Sequence, residues 1–497
     1  MKVLYIDIDS LRRDHIGCYG YERPTTPNLD RIAAEGARFT NMYAADTPCV
    51  PARASIFTGR WGIKTGLLTH GERAQSIGDF GRPDGELNTK PWEEDSRYAG
   101  PTYPPFGSRA PQVQEHLAVQ RGEAGLRTAA VSTFADQASW FRTGWNAYYR
   151  PQWHLAHSRV QAPQITAHAL AWLEDHAQDD FFLYVHYWDP HQSYKSPQSY
   201  IDTMLAYPPP DWPPDERIRE DAERYAHMPN SAGSHRIWGK EDFDYWMAMY
   251  DAEIAYCDEY VGRLYESLEQ AGVLDDTLII AATDHGENQG EHSVYGDHWG
   301  VFETDAHIWM LARWPQGGIQ PGTVADAAGY TLDIGPTLCD VAGIEQPARW
   351  QGRSLLGMMR GEPEPEPRRD YVYLEHGLWS AQRAIRTIGA PDGRDWKLIK
   401  SYHGGLMNWP LTQLFDLAND PREENNAADA NPAITRDLEY RLWQWEEGQL
   451  QGWPDPLKMV AQEGPQTVVS ALKTMREGPF PWPNPEGHVV PERRPKR

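Results

Sequence analysis

Five short apolar runs, separated by stretches of helical periodicity, constrain this chain more than any other feature. They are VLYIDID (3–9), TAAVST (128–133), FFLYVHY (181–187), TLIIAAT (277–283) and HIWMLAR (307–313). Each is dense in β-branched and aromatic residues and only six or seven residues long, so each reads as a strand covered on both faces. Residues 26–35, 162–177 and 241–271 carry helical patterns between them, the first opened by Thr26-Pro27, a capping residue and a first-turn proline. Strands alternating with helices predict an α/β fold with a large mixed, mostly parallel central sheet flanked by helices.

A chain of 497 residues has room for one such domain and an appendage. The stiff, charged stretch GEPEPEPRRD (361–370) is the expected linker. Beyond it, YVYLE, QRAIRT, WKLIKSY and QLFDL read as strands and residues 432–450 as a helix. The expected division is therefore 1–365, a catalytic domain, and 366–497, a smaller C-terminal antiparallel sheet plus helix and a proline-rich tail from Gly478. That tail is expected to wrap the surface or a neighbouring subunit, which leaves a homo-oligomer open. Residues 70–112 and 205–240, the latter including AYPPPDWPPDE, resist a periodic reading and are either functional rims or plain insertions.

The net charge of −24 argues against nucleic acid and anionic membranes as partners, and any anionic substrate would need cations placed locally in its pocket. No run approaches the roughly 18 apolar residues of a membrane helix. MKVLYIDID enters a strand pattern without a signal-peptide layout, so the expected location is cytoplasmic. Four widely spread cysteines form neither a disulfide framework nor a zinc-ligand spacing, which fits a reducing compartment.

Open sheets of this kind place ligands at the carboxyl ends of their strands. Asp9 ends the first run, with Asp7 one pleat deeper on the same face; a carboxylate there suits a hard cation or merely caps a turn. Asp284 and His285 follow TLIIAAT directly, and His292 and His298 lie in the same loop, TDHGENQGEHSVYGDHWG. His191 lies just past FFLYVHY, while His186, inside it, is expected in the core or behind the site. In TPCVPARASIFTGR, Cys49 sits three residues before an expected helix start, where backbone amides and the helix dipole favour an oxyanion; Arg53 adds a forked cation. Alone, Cys49 reads equally as a buried structural thiol. Together these segments converge acids, imidazoles, a cysteine and an arginine on one sheet edge.

IDSLRRDHIGCYGY, TTPNLDRIAAEGARFTNMYAADTPCVPARASIFTGR, HYWDPHQSY, TDHGE and QLFDLANDPREEN resemble, in order, the sulfatase family of the alkaline phosphatase superfamily. The resemblance runs from residue 2 to about residue 430. It implies that Cys49 is oxidised to formylglycine by a separate formylglycine-generating maturation enzyme. It further implies that Asp9, Asp284, His285 and the modified Cys49 bind one divalent metal, expected to be Ca²⁺. Arg53 is expected to hold the formylglycine hydrate and His191 to contact the sulfate or its leaving oxygen. One hydroxyl of that hydrate would attack sulfur, a histidine would protonate the departing alcohol, and the second hydroxyl would expel sulfate. The chain departs from the family pattern at Ser10, where many members have a second aspartate, and near Thr133, where many have a lysine. The lysine expected after the Asp-His loop is also replaced, with His298 nearest to its place and expected as general acid. The substrate implied is a small sulfated sugar. A phosphonate monoester or phosphodiester hydrolase of the same superfamily, or a binding protein with an inactive site, are the alternatives. Tyr402 and His403 are weighed as residues reaching the pocket from the second unit.

Overall fold

The computed structural model describes residues 1–70, 111–151, 160–224, 237–389 and 395–468. In chain order its strands are β1 (Lys2–Ile8), β2 (Ala37–Tyr43), β3 (Asp46–Thr47), β4 (Arg127–Val131), β5 (Ala147–Tyr149), β6 (Phe181–Tyr187), β7 (Thr277–Ala282), β8 (Asn288–Gln289), β9 (Tyr295–Asp297), β10 (His307–Arg313), β11 (Thr323–Ala325), β12 (Gly329–Tyr330), β13 (Tyr371–His376), β14 (Ala381–Thr387), β15 (Trp396–His403) and β16 (Thr412–Asp416).

All five apolar runs form strands of one sheet, in the order β11-β2-β10-β7-β1-β6-β4-β5, with β12 also paired to β2. β1 lies at its centre, parallel to β6 and to β7, while β10 runs antiparallel to β7 and to β2. The sheet is thus mixed and mostly parallel, with β1, β4, β6 and β7 buried at nearly every position. Alternation along β1 divides the core. Val3 and Tyr5 face one side with Val50, Ala54 and Phe57 of helix α2 (Cys49–Thr58). Leu4, Ile6 and Ile8 face the other with the helices Ala162–His176 and Lys240–Gln270.

Some local expectations change. Helix α1 (Pro27–Ala34) has its first-turn proline, but Thr26 makes no capping hydrogen bond. Its hydroxyl instead accepts from Gly17 N, and the Asp258 carboxylate receives the N–H groups of Asn28 and Leu29. Helix α2 begins at Cys49 itself rather than three residues later. β2, with its polar Arg38, Thr40 and Asn41, was not marked by hydrophobicity. Within 205–240, Asp215–Arg224 forms a helix whose only buried residues are Ile218 and Asp221, so it shows almost no apolar face; Asp215–Arg219 and Arg217–Asp221 pair along it. Residues 71–110 and 225–236 of the two expected excursions, and the tail from Gly478, lie outside the described residues.

The second sheet has the order β16-β15-β14-β13-β3. Its four later strands are antiparallel, as expected, and helix Pro432–Leu450 packs Leu438 and Leu442 against Ile385, Leu398 and Leu414. The fifth strand, β3, comes from the N-terminal part of the chain and pairs in parallel with the end of β13. The expected linker is pinned down: Arg353 Nη1 donates to the carbonyls of Pro365 and Pro367, and Arg369 pairs with Asp333.

Candidate active site

The chain leaves β1 at Asp9, β7 at Asp284-His285 and β6 toward His191, all on one edge of the main sheet. Cys49 meets them from the first residue of α2, and Arg53, one turn later, lies on the same helix face. One ligand atom from each of Asp9, Cys49, Asp284 and His285 lies within 4.8 Å of every other, and all four residues are buried. Cys49, His191 and His298 form a second such group. The seven residues singled out in the sequence are therefore in one place.

Arg53 is the counter-cation of this edge. Its Nε donates to Asp7 Oδ2 at 2.8 Å, and its Nη1 to Asp9 Oδ2 at 3.0 Å and Asp284 Oδ2 at 2.7 Å. Its Nη2 donates to His186 Nε2 at 2.9 Å. His186 therefore keeps its proton on Nδ1, which faces Ser132 Oγ at 2.9 Å; Ser132 Oγ in turn accepts from Phe134 N. β1–β6 register places Asp7 directly beside His186, which is why the two share one arginine. Burial opposes charge on Asp9, but Arg53, His186 and the nearby imidazoles hold it well below the usual carboxylate range. Asp284, buried next to Asp9, is instead pushed up to about 7.

Ser10 adopts φ 59° and tightens the turn: its hydroxyl donates to Asp9 Oδ1 at 2.7 Å and its N–H to Asp284 Oδ1 at 3.3 Å. It orients both carboxylates. His285 faces the Gly286 carbonyl through Nδ1 at 2.7 Å, which fixes the proton there and turns the Nε2 lone pair toward Cys49 Sγ at 3.2 Å and Asp284 Oδ2 at 3.3 Å. Three carboxylates thus share one guanidinium, an imidazole lone pair points among them, and Asp7 Oδ1 is buried with no donor. This donor set fits a divalent cation with a preference for oxygen.

The His298 ring lies 4.2 Å from that of His285, tilted by 49°, and 5.7 Å from that of His191, centroid to centroid. Burial, then His285 and His191, hold it well below the ordinary imidazole range, so it rests neutral. Thr133, near the place of the family's lysine, receives the indole N–H of Trp188 at 2.6 Å.

Tyr402 and His403 do not reach this site. Tyr402 donates to Glu446 and sits under Arg383 and Lys458, while His403 accepts from Gly405 N. The contribution of the second sheet comes instead through His376, at the end of β13. His376 accepts from Trp379 N through Nε2 and faces Thr47 Oγ1 at 3.0 Å, two residues before Cys49. Its ring feels His285 and His70. Ser132, His376 and His70, whose Nε2 is 3.4 Å from Val50 N, were not foreseen. Ser132 and His376 are tied to the site by tertiary contacts that no local motif marks; of this group the sequence placed only His186, in the core or behind the site.

A mostly parallel sheet whose strand ends gather a carboxylate-imidazole cluster around a helix-start residue is a site suited to metal-assisted hydrolysis. The chain belongs to the sulfatase family: the Sulfatase family model matches residues 2–344, and the model described as N-sulphoglucosamine sulphohydrolase, C-terminal, matches residues 290–448. It is a sulfuric ester hydrolase. An N-acetylglucosamine-6-O-sulfatase of Bacteroides thetaiotaomicron is 24% identical over 493 residues, covering 86% of this chain and 82% of that protein. A solved structure in complex with its substrate D-glucosamine-2-N,6-O-disulfate superposes with a TM-score of 0.67 at 21% identity, over 92% of this chain and 99% of the other. The phosphonate monoester hydrolase of Agrobacterium radiobacter superposes with a TM-score of 0.65 at 21% identity, over 90% and 96%.

Proposed function

We propose that this enzyme cleaves the sulfate ester of a small sulfated sugar, using formylglycine made from Cys49 and one Ca²⁺ held by Asp9, Asp284, His285 and the modified residue 49. The observation that carries this reading is the position of Cys49 at the start of α2, with its Sγ inside the carboxylate-imidazole cluster. The sugar is supported by the names of the relatives above.

Formylglycine hydrate would supply a geminal pair of hydroxyls at residue 49, a nucleophile and a second ionisable hydroxyl that a thiol does not offer. When bound by Asp9, Asp284, His285 and residue 49, the cation would supply charge neutralisation for the reacting ester. The remaining work falls to this chain's own side chains. Asp9 and Asp284 are aimed by Ser10, and Arg53 holds their outer oxygens while its position one turn past residue 49 keeps a cation beside the nucleophile. The first turn of α2 presents its amide dipole to the sulfate. His298 is assigned as the proton donor to the departing alcohol, and His191 as the contact to the sulfate or leaving oxygen. The negative charge of a bound ester raises the affinity of His298 for the proton it must give.

Cys49 is 1% exposed, so the maturation enzyme acts before this part of the chain closes. Residues 1–365 are the proposed catalytic domain and 366–497 the second unit. A cytoplasmic location belongs to this reading; no helix among the described residues is long and apolar enough to cross a membrane.

Phosphonate monoester hydrolysis is the second reading, favoured by the Agrobacterium neighbour. Two measurements test the proposal. Mass spectrometry of the peptide spanning Cys49, from enzyme made in its native host, is expected to show the aldehyde; an intact thiol there overturns the mechanism. With aldehyde-bearing enzyme, sulfated mono- and disaccharides are expected to turn over faster than aryl phosphonates; the reverse order selects the second reading.

A further inference from the structure

On the far side of the loop that follows His285 lies a cavity of about 540 Å³ whose wall includes none of the site residues above. Arg13, Trp212, Phe243, Gln289, Arg386 and Arg422 line it, drawn from the segment after β1, the 208–213 segment, the long helix, β8, β14 and the segment after β16. In a chain of net charge −24, its cations are notable. Arg12, also on the wall, is matched by Asp14 and Glu291, and Arg386 by Glu303. Arg13 and Arg422 have no carboxylate partner among the described residues; the first lies over Tyr19 and the second over Trp212. Four lining residues carry a buried donor without an acceptor, namely Arg13 Nε, Trp212 Nε1, Gln289 Nε2 and Arg386 Nε, and no lining residue carries a buried acceptor without a donor. Gln289 and Arg386 are 4% and 7% exposed. The wall has donor capacity and positive charge in excess, with aromatic surface beside them.

We propose that this cavity is an accessory site for a small organic oxyanion of the carboxylate or sulfate class, one or two sugar rings in size. Its volume is in the range of small-molecule sites. Forked guanidinium groups match the planar or tetrahedral oxygens of such a ligand, and Trp212 and Phe243 suit the apolar face of a ring. Arg12 Nη1 donates to the Glu287 carbonyl, so the site backs onto the loop that begins at Asp284-His285.

The test is calorimetric titration of the metal-loaded, aldehyde-bearing enzyme with glucuronate and with inorganic sulfate, neither of which it can hydrolyse. Saturable binding of glucuronate is expected, weakened at least tenfold in Arg13→Gln/Arg422→Gln and, separately, in Gln289→Ala. Turnover of an aryl sulfate is expected to stay within twofold of the parent in both variants, which also shows that they fold. Undiminished glucuronate binding in the double variant, or no saturable heat from either probe at millimolar concentration, overturns the proposal. Two sources of the oxyanion are separated by kinetics. If it is a second unit of the substrate, the KM of an acidic sulfated disaccharide rises in the double variant while that of the sulfated monosaccharide does not. If it is a separate molecule, both KM values hold in the double variant, and added glucuronate leaves the KM of the aryl sulfate unchanged.

Discussion

His191 and His298 each bring a ring nitrogen within 4.8 Å of Cys49 Sγ, and only one of them can protonate the leaving oxygen. The assignment to His298 predicts a dependence on leaving-group basicity. A nitroaryl alcohol leaves without a proton, whereas a sugar alcohol does not. His298→Ala is therefore expected to lose about 10²–10⁴ in kcat on a sugar sulfate, the usual range for a general acid, and far less on a nitroaryl sulfate. His191→Ala is expected to lose similar amounts on both, because it contacts the sulfate common to them. If the two variants exchange behaviour, the roles exchange as well. The residues of the site were legible because acids, imidazoles and a cysteine at strand ends are chemically conspicuous. What holds them was not: Ser132 reaches Arg53 only through His186, and a serine in a loop announces nothing.

At the scale of elements, the two sheets are joined by β3, two residues long, and by a buried charge cluster behind it. Arg383 donates to Glu375 Oε1 at 2.7 Å and to both oxygens of Asp455, while Asp46 receives the N–H of Gly62. Burial first and Glu375 second raise Asp46 well above the usual carboxylate range. Arg383 is fully buried, so its removal strands Glu375 without a counter-charge and leaves Asp455 only Lys458, at 3.4 Å. Arg383→Met is expected to cost about 3–5 kcal/mol, the range for breaking a buried ion pair, measured by urea unfolding. A loss under 1 kcal/mol would mean that the carboxylates protonate at little cost. The strands of both sheets were readable because burial on both faces, or regular alternation, leaves a periodic trace. β3 left none, since two residues carry no period. The helix Asp215–Arg224 left none either, because ion pairs rather than an apolar stripe hold its exposed face. Arg353 and Arg369 turned an apparent linker into a docked segment through contacts distant in sequence.

For the whole molecule, the pairing of β3 with β13 means that the proposed units at 1–365 and 366–497 are not independent. A fragment of residues 1–365 loses the partner of Asp46-Thr47, which ends two residues before Cys49. It is expected to lack activity even when the aldehyde is installed, and adding the second unit in trans is expected to restore it in part. The same junction makes stability depend on acidity. His376 is fully buried between Thr47 and Trp379, and burial, then His70 and His285, lower it to about 3. In the unfolded chain it titrates near the ordinary value of about 6.5. Between these values the unfolded state binds a proton that the folded state refuses, so stability contributed by His376 is full above about 6.5 and falls as the pH drops toward 3. Other buried groups titrate in the same window, some with the opposite sign, so the informative quantity is the difference between parent and His376→Gln. The parent's advantage is expected to shrink by about 1.4 kcal/mol for each pH unit below 6.5, the value for one proton. Urea unfolding of both proteins at pH 7.5, 6 and 5 measures it. A difference that stays constant across that range would show that His376 takes up its proton in the folded state, and that the contact between the two sheets tolerates a charge.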